Sequence, residues 1–287
     1  MPVDRLQDKV VLRHPKGATV EVLYYGATVT SWKVQGVERL FVSANASLDG
    51  SKPVRGGIPV VFPCFGAPTH RDHMKLPQHG FARSEEWSFE SIVLDNDVGV
   101  SVRLTLSPTA RIASKFERNF KLAYVVTLAE HQLSTDLHVY NPSESSHDLE
   151  FQALFHNYIR APASSVRIKP LQNLGYYDKT QQTDEGKALR RIESRAEVDV
   201  NIFTDSVYEN SPGDYQVSWS GGEIDIRTKS LDNVVVWNPQ EGGKKIADME
   251  ENGWERFVCV EPGYVRGFVK VSPGEKWIGQ QTLTIKT

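Results

Sequence analysis

Four groups of residues in this chain have the types and spacing to do chemistry. The first lies between Lys52 and Arg83, where Arg55-Gly56-Gly57-Ile58-Pro59, an apolar run from Val60 to Gly66, and Gln78-His79-Gly80-Phe81-Ala82-Arg83 follow one another. Gly is entropically costly in a helix and Pro removes a backbone donor, so this stretch is a shaped loop. Its arginines, amide and imidazole suit a planar or anionic group, although the same arginines could simply be solvated. The second group is the run Asp148 to Tyr158. Strand alternation puts Leu149, Phe151, Ala153 and Phe155 on one face and Glu150, Gln152, Leu154, His156 and Tyr158 on the other. That mixed face could line a sugar site, since sugars offer hydroxyls at the edge and C–H faces to aromatic rings. A lone histidine is more often satisfied internally or at the surface. The third is Phe257 to Gly263, which reads as a buried strand ending at Glu261, where Pro262 and Gly263 force a turn. Burial would raise the Glu261 carboxyl toward the range useful for proton transfer; a carboxylate capped by strand-exit amides is the plainer reading. The fourth is Asp205 in Phe203 to Tyr208, a possible acceptor for sugar hydroxyls or a turn cap.

Other motifs carry less. His70-Arg71-Asp72-His73 with His79 offers metal-type side chains but no ligand pair at strand spacing. Gly242-Gly243-Lys244-Lys245 reads as a hairpin turn rather than a phosphate loop, because no following helix supplies an N-terminus. There is no nucleotide-binding glycine signature and no nucleophile elbow.

The elements that must position these groups are strands. Period-two alternation runs through Val20 to Tyr24, Val100 to Leu106, Leu133 to Tyr140, Tyr215 to Trp219 and Glu223 to Arg227. Turn signals at Asn141-Pro142, Ser220-Gly221-Gly222, Asn238-Pro239, Glu241-Gly242-Gly243 and Ser272-Pro273-Gly274 fall between such runs. Helical patterns are scarce. The expectation is an all-β chain of 287 residues folded as one domain, residues 1–287, with the polar excursion Asp178 to Asp199 as a lid or a solvated loop.

With 33 basic and 36 acidic residues, the formal charge of −3 gives no global attraction for nucleic acid, so any bound anion must meet a local basic cluster. The start lacks a secretory apolar run and no stretch is long enough to span a bilayer, so the expectation is a cytoplasmic protein without membrane association. The two cysteines, Cys64 and Cys259, sit in apolar runs and are assigned to the core.

Taken together, Arg55-Gly56-Gly57-Ile58-Pro59, Pro77-Gln78-His79-Gly80-Phe81-Ala82-Arg83, Phe155-His156-Asn157-Tyr158, Thr204-Asp205 with Tyr208, Val235-Val236-Trp237-Asn238-Pro239 and Val260-Glu261-Pro262-Gly263 resemble the glucose-6-phosphate 1-epimerases, hexose-6-phosphate mutarotases of the aldose 1-epimerase superfamily. The resemblance runs from about Leu23 to Trp277, with the motifs in the family's order. It implies a large antiparallel β-supersandwich of the galactose mutarotase-like kind, no metal or organic cofactor, and a monomer that interconverts the anomers of a hexose 6-phosphate. It further implies His156 as general acid, Glu261 as general base, Arg55 and Arg83 as substrate contacts, and Gln78 and Asp205 as sugar contacts. His79 would orient the sugar or assist at the ring oxygen. Ionised Glu261 and protonated His156 are the expected working forms. A non-catalytic carbohydrate-binding sandwich and an epimerase for unphosphorylated aldoses are the competing readings.

Overall fold

The computed structural model describes residues 2–286. Its strands fall into three sheets. A five-stranded antiparallel sheet at the N-terminus runs from Val3–Arg5 to Val37–Glu38. An eight-stranded sheet has the order Arg167–Lys169, Asp214–Trp219, Gly222–Lys229, Lys276–Ile285, Gln132–Tyr140, Lys121–Leu128, Gly99–Leu106, Ser88–Asn96. A second eight-stranded sheet has the order Ala188–Ile192, Gly175–Gln182, Thr204–Tyr208, Asn233–Asn238, Phe257–Val271, Leu149–Phe155, Val60–Val61, with Tyr158–Arg160 also paired to Phe257–Val271. The expected all-β supersandwich is therefore the observed fold, and the alternating runs read from sequence lie in strands, apart from Tyr24, which falls just past the Thr19–Leu23 strand. The only α-helix among the described residues is Ala110–Ala113, and no helix is long and apolar enough to cross a membrane.

Alternation explains how one strand serves two apolar layers. Phe151, Ala153 and Phe155 join the main core between the sheets, where Phe151 meets Trp277 and Phe155 meets Tyr124 across the gap. Leu154 points the opposite way, into a smaller cluster with Val61, Val207, Val235 and Val265. Val258 and Val260 likewise face the main core, whereas Phe257 and Cys259 face a third cluster with Phe41, Tyr158 and Trp254. The outer side of this sheet is thus apolar too, and loops cover it. Cys64 and Cys259 are both buried and free, as expected, but Cys259 lies on that outer side.

Two local expectations are corrected. The Phe257–Val271 strand does not end at Glu261; it continues for a further ten residues through Pro262 and Gly263. On one edge it pairs Tyr158 with Cys259, then leaves residues 260–262 without a Cα partner before Leu154 pairs with Gly263. A proline is tolerated in a central strand where the ladder is interrupted, and Gly263 fits because a Cβ there would stand 2.7 Å from Leu154 Cβ. Gly242 to Lys245 is not a hairpin: Gln240–Lys245 forms a 3₁₀ turn directly after Asn238-Pro239. Asn238 stabilises this, its side-chain amide donating to the Trp254 and Phe257 carbonyls while its oxygen accepts from the Gln240 N–H.

The excursion at Asp178 to Asp199 is mostly a hairpin made by Gly175–Gln182 and Ala188–Ile192 at the sheet edge. It is tethered at its far end, where buried Glu193 accepts from Tyr208 Oη at 2.8 Å and from Arg195 Nε and Nη2.

Candidate active site

His156 directly follows the Leu149–Phe155 strand and occupies the break beside residues 260–262, so it faces Glu261 with Nδ1 to Oε1 at 3.5 Å. Glu261 is 1% exposed and its Oε2 has no hydrogen-bond partner; His156 Nδ1 has none either. Buried polar atoms left unpaired cost free energy, so two of them facing one another mark where a ligand's own groups belong. The imidazole plane is fixed by Tyr158, stacked at 4.7 Å and 10°, and by Trp237, edge-on at 6.0 Å. Asn157 holds the break itself. Its Nδ2 donates to the Val260 carbonyl at 2.9 Å and to Gln281 Oε1 at 2.8 Å, while Gln281 Nε2 returns a bond at 2.9 Å from the facing sheet.

Burial disfavours charge on both members of the pair. It pushes the Glu261 carboxyl well above its ordinary range, helped by the Asp205 charge and opposed by Lys179 and Arg83. It pushes the His156 imidazole well below its ordinary range, helped by His79, Arg83 and Arg55. In the free site the environment therefore drives both toward neutrality. Protonated carboxyl with neutral imidazole, and carboxylate with imidazolium, contain the same number of protons. Either way the pair holds one to transfer.

The glycine-rich loop supplies the second end of the cleft. Gly57 and Gly80 have φ of +69° and +71°, and a Cβ on either would lie 2.1 Å from a carbonyl oxygen, of Val29 and Phe62 respectively. This packing presents Arg55, Gln78, His79 and Arg83. Arg55 donates from Nε to Asp248 Oδ1 at 2.9 Å and from Nη1 to Tyr158 Oη at 3.1 Å. Burial works against its charge, and Tyr158 and Asp248 more than offset that. Arg83 donates to the Gln78 carbonyl at 3.0 Å and has no carboxylate in ion-pair range among the described residues. Burial and the like charge of Arg55 lower its proton affinity, an imbalance an anion would relieve. His79 is neutral, its pKa pushed down to about 3 by burial and then by Arg83. Its Nδ1 accepts from the Gly66 N–H at 3.3 Å, which puts the ring proton on Nε2; the Gln78 amide 3.3 Å away can then meet it only by turning its oxygen toward the ring.

Asp205 joins the same face of the sheet and pairs with Lys179 Nζ at 3.2 Å. Burial raises its carboxyl pKa while Lys179 lowers it. The seven residues singled out from the sequence thus lie near one another, close enough for their charges to interact, with the imidazoles of His79 and His156 6.0 Å apart. Sequence reasoning missed Asp248 and Lys179. Nothing around Asp248 distinguishes it, and Lys179 sits in the polar excursion, where one lysine among many polar residues gives no signal. His79 does not join His70, Asp72 and His73: those three cluster, with His70 and His73 tilted against Phe268, whereas His79 lies against Phe65 and His156. A separate cavity of about 890 Å³, lined by residues including Arg39, Arg160, Trp219 and Trp254, contains none of the cleft residues.

Comparison with known proteins gives a consistent picture. The aldose 1-epimerase family profile matches residues 8–284. A Cenchrus ciliaris protein with the provisional name glucose-6-phosphate 1-epimerase is 30% identical over 291 residues, covering 96% of this chain and 84% of its own length. An Escherichia coli K12 protein of the same provisional name is 28% identical, with 92% and 86% covered. The crystal structure of a provisionally named mutarotase from Salmonella typhimurium superposes with a TM-score of 0.86 at 23% identity, covering 99% of this chain and 93% of that one.

Proposed function

The chain belongs to the aldose 1-epimerase family, and from that premise we propose that it interconverts the α and β anomers of a hexose 6-phosphate, D-glucose 6-phosphate first among them. The observation that carries this reading is the proximity of unsatisfied His156 and Glu261 to Arg83, whose guanidinium has no carboxylate partner among the described residues. Related proteins bearing the name of that activity support the choice of substrate.

Mutarotation removes the proton from the anomeric hydroxyl O1 and gives one to the ring oxygen O5. The C1–O5 bond breaks, the aldehyde turns about C1–C2, and the ring recloses on its other face. Substrate prepares the pair for this. Sugar hydroxyls donate to Glu261 and stabilise its charged form, while the phosphate dianion offsets the Arg83 and Arg55 charges that add to burial in holding His156 neutral. Glu261 then takes the O1 proton as His156 donates to O5, and the roles reverse on closure. Each positioned group contributes about 10² to 10⁴ in rate. Arg55, pre-aimed by Asp248 and Tyr158, and Arg83 clamp the phosphate away from the reacting carbon. Gln78, His79 through its Nε2 proton, and Asp205 orient the hydroxyls.

Magnetisation-transfer NMR on anomeric mixtures of glucose 6-phosphate and of glucose tests the proposal. Catalysed exchange with a preference for the phosphorylated sugar is expected. Exchange no faster than in buffer would refute the activity, and equal turnover of both sugars would refute the phosphate clamp in favour of an epimerase for free aldoses.

A further inference from the structure

The catalytic reading leaves one neighbouring group unused. Cys259 and Glu261 are two residues apart on the Phe257–Val271 strand and so project from the same face, and His156 meets them from the break. His156 Nδ1, Cys259 Sγ and a Glu261 carboxylate oxygen all lie within 4.8 Å of one another. Two of these three residues carry orphaned buried atoms, at His156 Nδ1 and Glu261 Oε2, and the thiol is free. We infer that His156, Cys259 and Glu261 form a three-ligand site for a thiophilic divalent cation, Zn²⁺ above all, and that such a cation silences the enzyme.

The donor set decides the ion. Nitrogen, sulfur and carboxylate oxygen together suit Zn²⁺, whereas Mg²⁺ and Ca²⁺ demand oxygen-rich shells. With Zn–N and Zn–S bonds of about 2.0–2.3 Å, tetrahedral ligand atoms stand about 3.4–3.7 Å apart. The His156 Nδ1 to Glu261 Oε1 separation is already 3.5 Å, and the remaining pairs lie within 4.8 Å. His156 is the one partly exposed residue of the three and gives the ion its way in.

Local charge is compatible. Thiolate and carboxylate together balance the ion, and Asp205 lies close enough to act on Glu261. Of the opposing cations, Arg55 is paired with Asp248 and Lys179 with Asp205, leaving Arg83. Binding forms Zn–S, Zn–N and Zn–O bonds, and the thiol proton, with any proton on Glu261, leaves to solvent; no electron is transferred. The cation then holds the Nδ1 lone pair and the carboxylate that proton transfer needs. The silencing rests on the proposed roles of His156 and Glu261, whereas the binding does not.

The test uses chelator-treated full-length protein, with Co²⁺ as spectroscopic probe and Zn²⁺ as inhibitor. Expected for the wild type are a thiolate-to-cobalt charge-transfer band with tetrahedral d–d absorption, and loss of anomer exchange at a small molar excess of Zn²⁺, restored by EDTA. Cys259→Ser should keep basal exchange, lose the charge-transfer band and need roughly a hundredfold more Zn²⁺, since even outer-shell changes cost roughly 10–100-fold in affinity. Absence of the band in wild type would overturn the site. A normal band without inhibition, or inhibition unchanged in Cys259→Ser, would overturn its link to activity. A protein inactive toward every sugar tested but giving the cobalt spectrum would count against the proposed reaction and leave the site standing.

Discussion

Replacing Glu261 by Gln should separate activity from stability. The side chain is 1% exposed, has one carboxylate oxygen without a partner, and is held 3.5 Å from His156. Gln keeps the shape and removes the ionisable group, so the fold should survive while the base is lost. A positioned base accounts for about 10² to 10⁴ in rate, or about 2.7–5.4 kcal/mol of barrier at 1.36 kcal/mol per tenfold. Stability should move the other way. Burial raises the Glu261 pKa in the folded state, so its contribution is intact below the unfolded carboxyl value of 4.5 and is lost as pH rises through the folded value. The Gln variant escapes that loss. It should match wild type near that lower bound and exceed it increasingly toward neutral and alkaline pH, and a gain of about 1 kcal/mol would raise Tm by about 2–4 °C in a chain of this size. The assay pairs magnetisation-transfer exchange with thermal unfolding across a pH series. A variant less stable than wild type at alkaline pH, or one with near-normal exchange, would refute the assignment of Glu261 as a buried base kept at the expense of stability.

His156→Asn should lower exchange by about 10² to 10⁴, and in the free wild-type protein the His156 ring NMR signals should not titrate at the ordinary imidazole value of 6.5, because burial lowers that pKa; a midpoint at or above it would contradict the burial argument. Arg83→Ala should raise KM for the phosphorylated sugar by roughly 10–150-fold, the equivalent of one charged hydrogen bond worth about 1.5–3 kcal/mol, while turnover of unphosphorylated glucose stays unchanged; equal effects on both sugars would remove Arg83 from phosphate recognition. Gln281→Leu should leave the buried Asn157 amide short of a partner, costing about 1–3 kcal/mol in chemical denaturation and lowering kcat by loosening His156. Unchanged stability would show that Asn157 finds another partner. Gly80→Ala should unfold the loop or destabilise the chain by about 2 kcal/mol or more, as a Cβ at positive φ would also strike the Phe62 carbonyl at 2.1 Å; a fully stable variant would contradict that contact.

The sequence by itself determined the strand content and the chemical identity of the cleft. Alternation from Gly99 to Leu106 or Gln132 to Tyr140 is a local property of the pleat, so it survives without knowledge of partners. Gly and Pro around Arg55 and Gln78 likewise announced a shaped loop, and the ordered motifs placed His156, Glu261, Arg83 and Asp205 on the list. Tertiary structure decided what local signals could not carry. Pro262 and Gly263 looked like a strand end because their neighbours in sequence say nothing of the gap in the adjoining strand that accommodates them. Asp248 was invisible because its meaning is a partner, Arg55, 193 positions away. The upward push on Glu261 was legible from its apolar strand, but the matching downward push on His156 was invisible for a related reason. Their charge states are set by how completely other parts of the chain exclude water from them, and solvent exclusion is a property of the closed fold rather than of any segment.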